Sequence, residues 1–359
     1  MNVPKIRFNG FEEEWQENKL CDIARITMGQ SPNSENYTND SNDTLLIQGN
    51  ADLNNGKVIP RLFTKQVTKT CDKNDIIMTV RAPVGDIAIS DYNACIGRGV
   101  CSIKSSKFVY HYLDYLKTKD YWKKISKGST IDSITSDDIK SLLIKTSNKK
   151  EEEKIIKTID LINKKIELQS KKIEDLKLFK LSKYSSVFSK TNNKIKLSDI
   201  CIIEKGKQIN SDLLIEKGNY YMLNGGILPS GYLNEYNTNE NTITISEGGN
   251  SCGYVNFNKT KFWCGGHCYK IISPSVNTSY LYHLLKYNEK KIMDLRVGSG
   301  LPNIQKKDLE ALKLSINKND EQLKIGILFD TFDKKINLET NKLDKLQELK
   351  KGLMQSMFV

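Results

Sequence analysis

The sequence predicts an α+β fold, with two globular mixed α/β domains separated by a long antiparallel two-helix coiled coil and related by an internal pseudo-twofold repeat. Three observations support this prediction: a repeat of about 170 residues, strand-like apolar runs in each copy, and heptad-spaced apolar residues in the tail of each copy. At 359 residues the chain is long enough for two domains that each bury a core, together with connecting helices.

The repeat is clearest in the tails, where residues 151–186 align with residues 321–356 at a constant offset of 170 residues. Under that offset Lys154 falls on Lys324 and Ile166 falls on Ile336. Solenoid repeats have periods of ~20–50 residues, so this longer period indicates two copies of a globular unit followed by a helix. A partner with twofold symmetry of its own, such as duplex DNA, fits such a chain.

Each copy begins with strands and continues with shorter helices. In the first copy, apolar runs broken by Gly, Asn and Asp predict strands from about residue 20 to 108, followed by a helix over residues 109–124. The second copy repeats this order, with a helix over residues 279–296. The predicted segments are a first domain with an N-terminal arm (residues 1–150), a first helical region (151–190), a second domain (191–318) and a second helical region (319–359).

The two tails are predicted to pair as a coiled coil, because their apolar residues step alternately by threes and fours. Gln169 and Glu339 place a polar residue at the same rung of each copy. An intramolecular antiparallel pair is favoured over a homodimeric coiled coil, and a 36-residue helix would measure ~54 Å, enough to span one ~34 Å turn of DNA. The apolar seam consists of Ile155, Ile159, Ile162, Ile166, Ile173, Leu176, Ile325, Phe329, Phe332, Ile336, Leu343 and Leu346.

Charge and segment composition narrow the class of partner. Lys and Arg number 55 against 43 Asp and Glu, and the resulting net charge of +12 favours a polyanionic partner. The sequence shows no apolar signal region and no run of ~18 apolar residues, so we expect no membrane association and a cytoplasmic location. The eight cysteines mostly lie among apolar residues, as expected of reduced, buried thiols.

Several motifs together resemble the specificity (S) subunit of Type I restriction–modification enzymes, over essentially the whole chain. Residues 4–11 with Trp15 are similar to the N-terminal arm of that family, and residues 81–86 with 95–100 are similar to paired motifs of one class of its target recognition domains. A second class is matched by residues 223–227, 246–250 and 252–253, with Gly231, Tyr232 and His267. Glu247-Gly248 departs from the Gly-Arg that is common in the family, so no contact by that arginine is carried over.

The resemblance implies a function without chemistry in this chain. Each target recognition domain would read one half of a bipartite, asymmetric sequence in double-stranded DNA, while the helices set the gap between the halves. The helices would also dock two modification subunits, which bring S-adenosylmethionine and methylate adenine. Restriction subunits would add ATP-driven translocation and cleavage. The chain itself would be non-catalytic and hold no cofactor, with S-adenosylmethionine, ATP and Mg²⁺ all on the partner subunits.

The motifs of catalytic sites are incomplete or missing in the sequence. No two of its seven prolines are adjacent, so the Asp/Asn-Pro-Pro-aromatic loop of an amino-methyltransferase does not occur, and neither does the phosphate-binding loop Gly-x-x-x-x-Gly-Lys-Ser/Thr. Cys264, His267 and Cys268 superficially resemble a zinc cluster, but structural zinc usually takes two spaced ligand pairs. Buried thiols are the favoured interpretation, with no metal, and His267 fits either the DNA-reading face or a structural role.

DNA contacts are predicted by residue type alone. Arg and Lys pair with guanine O6 and N7, and Asn and Gln pair with adenine N6 and N7. Hydroxyls beside glycines suit phosphate oxygens. Each candidate has the alternative of stabilising a turn or simply being solvated. The candidates are Gln48, Asn50, Arg61, Arg81, Arg98, Ser129 and Thr130 in the first copy, and Lys207, Gln208, Asn224, Asn250, His267 and Ser299 in the second.

Two other functions remain open at this level. One is a coiled-coil scaffold that binds only proteins. DNA affinity that falls roughly 10³–10⁵-fold between 50 and 200 mM salt would argue against it. The other is a metal-dependent DNase, which incubation of the pure chain with plasmid and Mg²⁺ would reveal.

Overall fold

The computed structural model describes residues 3–125, 133–189, 191, 193–298 and 300–358. It confirms the predicted fold class, with two mixed α/β parts and two long helices. The chain forms two compact units: unit 1 consists of Met1–Gln169 and Lys342–Val359, and unit 2 of Ser170–Asn341. Each long helix therefore contributes residues to both units. No helix within the described ranges is both long enough and apolar enough to cross a bilayer.

The elements of unit 1 up to its long helix follow the predicted order of strands and then short helices. The helices are α1 (Leu20–Ile23), α2 (Lys107–Thr118), α3 (Tyr121–Ile125) and α4 (Ser136–Lys140). The strands are β1 (Gln16–Lys19), β2 (Arg25–Met28), β3 (Tyr37–Thr38), β4 (Thr44–Ile47), β5 (Leu53–Asn54), β6 (Lys57–Val58), β7 (Phe63–Thr64), β8 (Thr70–Cys71), β9 (Ile76–Thr79), β10 (Ile87–Ile89), β11 (Ala94–Ile96), β12 (Val100–Lys104) and β13 (Leu143–Thr146).

Two larger sheets form the core of unit 1. One has the strand order β2-β12-β9-β10-β6-β5 and the other the order β3-β7-β4-β11-β8, while β1 pairs with β13. Strand β9 is buried along its whole length. Its alternate side chains point to opposite faces of the sheet, and a core cluster covers each face. Ile76 and Met78 join the cluster around Phe108 of α2, whereas Ile77 joins the cluster around Ile47 of the second sheet.

Unit 2 repeats this layout with fewer strands. Its sheets have the orders β15-β21-β18-β19, β17-β16-β20 and β14-β22. The strands are β14 (Lys194–Lys196), β15 (Ile202–Lys205), β16 (Tyr220–Leu223), β17 (Gly231–Leu233), β18 (Thr242–Ser246), β19 (Val255–Asn258), β20 (Trp263–Cys264), β21 (Cys268–Ile272) and β22 (Lys313–Ser315). The short helices are α6 (Thr278–Tyr287), α7 (Glu289–Met293) and α8 (Lys306–Glu310).

Two helices predicted as continuous are each broken into two. The predicted helix over residues 109–124 is α2 and α3, separated where Asp120 adopts a left-handed backbone conformation (φ 52°) that an α-helix cannot contain. The predicted helix over residues 279–296 is α6 and α7, separated at Asn288. The backbone of Asn288 (φ −91°, ψ 10°) departs from helical geometry there, and its side-chain amide donates to the Leu284 carbonyl at 2.8 Å.

The long helices are α5 (Lys149–Phe188) and α9 (Asn319–Met357), and the predicted seam lies on their buried side. All fourteen seam positions, including Gln169 and Glu339, are buried or half-buried. In unit 1, Ile155 and Ile159 of α5 share a core with Met354 and Met357 of α9. The start of one helix thus packs beside the end of the other, as an antiparallel pair requires.

Unit 2 shows the same antiparallel arrangement through side-chain pairs. Lys172 Nζ lies 3.0 Å from Glu339 Oε1, and the rings of Tyr184 and Phe329 lie 4.3 Å apart. From the first contact to the second, the residue number rises along α5 and falls along α9, so the two helices run antiparallel. The Glu339 side chain is only 7% exposed, so Lys172 compensates a carboxylate within the seam. In both units the seam finds an apolar partner within the chain.

Candidate nucleic-acid interface

Unit 1 contains an open cleft of about 590 Å³ at the ends of its two larger sheets. Its described lining contains donors and acceptors of hydrogen bonds and two guanidinium groups, but no carboxylate or imidazole. Such a surface can bind an anion or the edge of a base, but it holds no general base for hydrolysis. The lining residues are Ser31, Pro32, Asn33, Ser34, Tyr37, Gln48, Gly49, Asn50, Arg81, Ala82, Arg98 and Gly99.

Glycines allow the loops of the cleft to approach backbone to backbone. A Cβ on Gly29 would lie 2.1 Å from the carbonyl oxygen of Gly97, and one on Gly99 would lie 2.1 Å from the carbonyl oxygen of Gln48. Any larger residue at either position would have to push backbone aside. This close packing brings the turn after β2, the turn after β4 and the turn between β11 and β12 into one cleft.

The turn that carries Gln48 is held by a buried carboxylate. Asp52 Oδ2 accepts hydrogen bonds from the backbone N–H of Gln48 at 2.8 Å and of Gly49 at 3.1 Å. Arg61 Nη1 lies 3.6 Å from Asp52 Oδ1. Arg61, a sequence-predicted DNA contact, is therefore placed beside the carboxylate that shapes the turn, and it is absent from the cleft lining.

Arg81 and Arg98 are the cationic residues of the cleft. The Arg98 N–H donates to Ser31 Oγ at 3.1 Å, and Val80 N–H donates to the carbonyl of Gly99 at 2.9 Å, which places the two arginine-bearing loops side by side. Both side chains are exposed, and no ion pair to either is recorded among the described residues. Their guanidinium groups are thus available to a ligand, with planar donors that match a phosphate or guanine.

Unit 2 builds the corresponding loops on the same backbone frame. Four loop hydrogen bonds of unit 1 recur in unit 2 between equivalent residues, at N···O distances that differ by at most 0.2 Å. The bond from Gly29 N to Val100 O corresponds to that from Gly206 N to Cys268 O, and the bond from Gln30 N to Ile96 O corresponds to that from Lys207 N to Cys264 O. The bond from Gly97 N to Ile47 O corresponds to that from Gly265 N to Leu223 O, and the bond from Val80 N to Gly99 O corresponds to that from Glu247 N to His267 O.

These bonds align the two sites residue by residue. Stepping one residue from each bonded position pairs Gln48 with Asn224, Ser31 with Gln208, Arg98 with Gly266 and Arg81 with Gly248. The last pair is supported separately, because Arg81 bridges to Ser133 and Gly248 bridges to Asn303. Ser133 and Asn303 are themselves related by the 170-residue offset of the repeat. The frame is conserved between the units, and the side chains presented on it differ.

In unit 2 the frame presents amides, with a carboxylate beside them. Asn224 Oδ1 accepts from the His267 N–H at 3.1 Å, and the exposed Gln208 donates from Nε2 to the Ile209 carbonyl at 3.3 Å. Glu247 Oε1 lies 2.7 Å from Lys205 Nζ and accepts from the Tyr269 hydroxyl at 3.0 Å. Burial of the phenol, reinforced by Glu247, raises the pKa of Tyr269. The hydroxyl therefore stays a hydrogen-bond donor at neutral pH.

The cysteines beside this site are packed as thiols. Cys252, Cys264 and Cys268 are buried, and no cluster of three or more metal-ligating side chains is found within the described residues. The neighbouring Cys268 and burial together raise the pKa of the Cys264 thiol, which keeps it protonated at neutral pH. His267 is 63% exposed at its side chain, so it lies at the surface beside Asn224 rather than in a core.

The structure brings four of the sequence-predicted contacts of unit 1 together in the cleft: Gln48, Asn50, Arg81 and Arg98. Sequence reasoning missed Ser31, Asn33, Ser34 and Tyr37, although the polar run after β2 was a usable signal. In unit 2, Lys207, Gln208, Asn250 and His267 are exposed and Asn224 is half-buried. Ser129, Thr130 and Ser299 lie outside the described residues.

The long helices carry a second set of apolar residues away from the seam. Leu168 and Leu338, related by the repeat, are both largely exposed, and so are the related residues Phe179 and Leu349. Unit 1 contains Leu168 and Leu349, and unit 2 contains Phe179 and Leu338. Large apolar side chains are therefore exposed at repeat-related positions of both long helices.

Comparison with protein families identifies the class. The family described as Type I restriction modification DNA specificity domain matches residues 12–178 and again residues 189–348. Because these two matches cover most of the chain, the chain belongs to this family.

Individual relatives agree with this assignment. A putative type I restriction enzyme MjaX specificity subunit of Methanocaldococcus jannaschii is 35% identical over 46% of this chain and 40% of its own length. A putative type I specificity subunit of Mycoplasma pneumoniae is 35% identical over 39% of this chain and 38% of its own length. These matches span about two fifths of the relatives. The MjaIX specificity subunit of M. jannaschii is 25% identical over 83% of this chain and 82% of its length.

Solved structures show the same fold. The S subunit of a Type I restriction–modification system from M. genitalium matches with a TM-score of 0.70 at 22% identity, covering 99% of both chains. A chain from a structural study of complex assembly and conformational transition in the type I R-M system matches with a TM-score of 0.59 at 18% identity, over 96% of this chain and 97% of that one. At these identities the likeness concerns the fold alone.

Proposed function

We propose that this chain is the DNA-specificity subunit of a Type I restriction–modification complex, in which each unit reads one half of a bipartite, asymmetric target in double-stranded DNA. The observation that carries the proposal is the pair of equivalent loop sites, built on one hydrogen-bonded frame and carrying amide or guanidinium side chains, the types that can pair with base edges. A basic chain of net charge +12 adds the electrostatic attraction that DNA binding requires. We place this activity in the cytoplasm, where a chromosome is accessible.

We propose further that the chain is non-catalytic and that chemistry resides in partner subunits. The cleft offers amides, hydroxyls and guanidinium groups, which recognise a base but do not activate water or a methyl donor. Two modification subunits would supply S-adenosylmethionine and adenine methylation, and restriction subunits would supply ATP- and Mg²⁺-dependent cleavage. The exposed apolar residues on both long helices, including Leu168 and Leu338, suit the docking of two equivalent partners.

The deciding experiment is methylation mapping of cells that express this chain with its modification subunit. The expected result is methylated adenines in one bipartite motif with a fixed gap. A double variant, Gln48→Ala with Asn224→Ala, removes an equivalent amide from each unit and should weaken both half-sites. Methylation without a sequence motif would refute the proposal.

Two further assays separate the competing functions. Binding to DNA that is insensitive to salt between 50 and 200 mM would favour a protein scaffold. Nicking of plasmid by the pure chain with Mg²⁺ would favour a nuclease.

The gap between the half-sites is proposed to depend on α5, which runs unbroken from unit 1 into unit 2. Inserting four residues after Gln169, where unit 1 ends, would lengthen the helix by ~6 Å and nearly preserve its apolar face. Because B-DNA rises ~3.4 Å per base pair, we expect the mapped gap to grow by one or two pairs with both half-sites unchanged. A two-residue insertion rotates the seam by roughly 200° and should abolish assembly. An active four-residue variant with the original gap would show that the helix does not set the spacing.

A further inference from the structure

The aligned loop sites differ in their guanidinium groups. Unit 1 presents Arg81 and Arg98, and both equivalent positions of unit 2, Gly248 and Gly266, carry no side chain. Amides occupy the site in both units, at Gln48 and its equivalent Asn224. Guanidinium groups are therefore present on one of two frames whose backbone hydrogen bonds match, and absent from the aligned positions of the other.

We propose that unit 1 reads a half-site that contains guanine, through Arg81 and Arg98, and that unit 2 reads a half-site dominated by A·T pairs, through Asn224 and Gln208. This inference rests on the proposed function, since it assigns base types to the same two sites. Arginine makes paired hydrogen bonds with O6 and N7 of guanine, whereas asparagine and glutamine pair with N6 and N7 of adenine.

The arginines of unit 1 are positioned for readout by backbone contacts that leave the side chains unused. Arg98 is anchored through its own N–H to Ser31 Oγ, and Arg81 through its bridge to Ser133. Arg61, the third arginine of this region, is engaged with Asp52 at 3.6 Å. Two exposed guanidinium groups on adjacent loops of one cleft can reach two guanines, or a guanine and a phosphate beside it.

Unit 2 lacks these groups at its frame positions, where Glu247 is paired with Lys205 at 2.7 Å. Lys207, at the frame position equivalent to Gln30, adds an exposed ammonium, a point charge that suits a phosphate. The amides of Asn224 and Gln208 are the groups on the frame that can pair with adenine. Leu301 is 87% exposed in the loop that Pro302 ties to the N–H of Gly249 at 3.0 Å. An exposed leucine beside the reading loop suits the methyl group of thymine, the apolar mark of an A·T pair in the major groove.

The test is selection from duplexes with both half-sites randomised, using the chain in complex with its modification subunits. Arg81→Ala and Arg98→Ala should each reduce the preference for guanine at one position by roughly five- to a hundredfold, in one half-site only. Arg25→Ala is the matched control, because it removes the same charge from an exposed residue of β2 outside the cleft. It should leave the selected motif unchanged.

A reciprocal variant tests unit 2. A Cβ at Gly248 would meet the Pro302 carbonyl oxygen at 3.3 Å, a tight contact with no backbone atom closer, so Gly248→Arg is expected to be accommodated. It should introduce a preference for guanine in the other half-site. Selection by both arginine variants of the same motif as the wild type would overturn the inference while leaving bipartite recognition standing. If the wild-type complex selects no bipartite motif, the proposed function itself is wrong.

Discussion

In unit 1 the buried imidazole of His111, on α2, lies 3.0 Å through Nε2 from Asp160 of α5, and in unit 2 His283, on α6, lies 3.1 Å from Asp330 of α9. Both imidazoles are fully buried, and both attach the short helix that covers the sheet to a long helix. A charge-assisted hydrogen bond in a buried setting fixes orientation more strictly than apolar contact alone. Each unit thus has a specific polar attachment to its long helix.

The second nitrogen of the ring distinguishes the units. His283 Nδ1 lies 2.8 Å from the hydroxyl of Tyr184, whereas His111 Nδ1 has no hydrogen-bond partner among the described atoms. The repeat places Met354 where unit 2 has Tyr184, and Met354 is buried in the core of unit 1. A thioether fills space but accepts hydrogen bonds weakly. The same attachment is therefore fully satisfied in unit 2 and half satisfied in unit 1.

Unit 1 has a second attachment that the described residues of unit 2 do not repeat. Arg7 donates from Nε and Nη2 to the two oxygens of Glu151, at 2.7 and 2.9 Å, and the Ile6 N–H donates to the Ser356 carbonyl at 2.9 Å. The N-terminal segment is thereby tied to the start of α5 and the end of α9. Glu321, which the repeat aligns with Glu151, is exposed in unit 2. The two units thus differ at two contacts: unit 1 has the ion pair of its N-terminal segment with Glu151, and unit 2 has the Tyr184 hydroxyl at its buried histidine.

The ion pair between Arg7 and Glu151 should contribute strongly to the stability of unit 1. Arg7→Ala leaves the carboxylate of Glu151, whose side chain is 1% exposed, without its ionic partner, and should lower the free energy of unfolding of unit 1 by ~3–5 kcal/mol. Glu321→Ala, at the equivalent exposed position of unit 2, should change stability by less than about 0.5 kcal/mol. Urea denaturation followed by hydrogen exchange in each unit measures both. Equal effects of the two changes would refute the asymmetry.

A somewhat smaller effect concerns pH. Burial lowers the pKa of His111 to about 4, although Asp160 opposes the shift. Burial also lowers the pKa of His283. As pH falls, this histidine takes up a proton in the unfolded chain, where its pKa is ~6.5, before it does so in the folded chain. The free energy of unfolding of unit 1 should therefore decrease as pH falls from about 6.5 to 4, by at most ~3–4 kcal/mol from His111.

Replacing the titrating group isolates this contribution. His111→Leu should flatten the stability of unit 1 across that window, since Asp160 keeps Lys107 at 2.7 Å as a partner. Glu151 is a separate case. Burial alone would raise the pKa of its carboxyl, but the bonds from Arg7 and Ser147 prevail and lower it, so its stabilisation is lost only at pH values below the ordinary range of a glutamate. An unchanged slope between pH 6.5 and 4 in the leucine variant would assign the dependence to other groups.

The long helices were the most predictable part of the fold. Their seam follows from a period of three and four residues, which is a local property, and positions such as Ile159 and Phe329 are buried as predicted. The strands β9 and β10 were likewise visible as short apolar runs. Breaks at Asp120 and Asn288 were missed, because each depends on one residue's backbone or side-chain contact rather than on periodicity.

The site was predictable only by residue type. Arg81 and Arg98 were proposed as base contacts, but nothing local to the sequence shows that Ser31 lies beside Gly97, since that contact depends on pairing between strands 60 or more residues apart. Arg61 looked identical in type and proved to lie beside Asp52. The histidine attachments were also missed, because His111 and His283 are two residues out of register with the 170-residue offset that revealed the tails.

The hydroxyl of Tyr184 should make a modest contribution to the stability of unit 2. Tyr184→Phe removes the hydroxyl that lies 2.8 Å from His283 Nδ1 and makes unit 2 resemble unit 1, with one ring nitrogen unpaired. Because the ring still fills its place against Phe329, the loss should be ~1–3 kcal/mol, the cost of a buried polar group left unsatisfied. Tyr287→Phe, at a neighbouring ring that also contacts Phe188, is the matched control and should cost less. Hydrogen exchange in α6 reports the change, and a Tyr184 variant as stable as the control would show that His283 needs no second partner, leaving the two attachments equivalent.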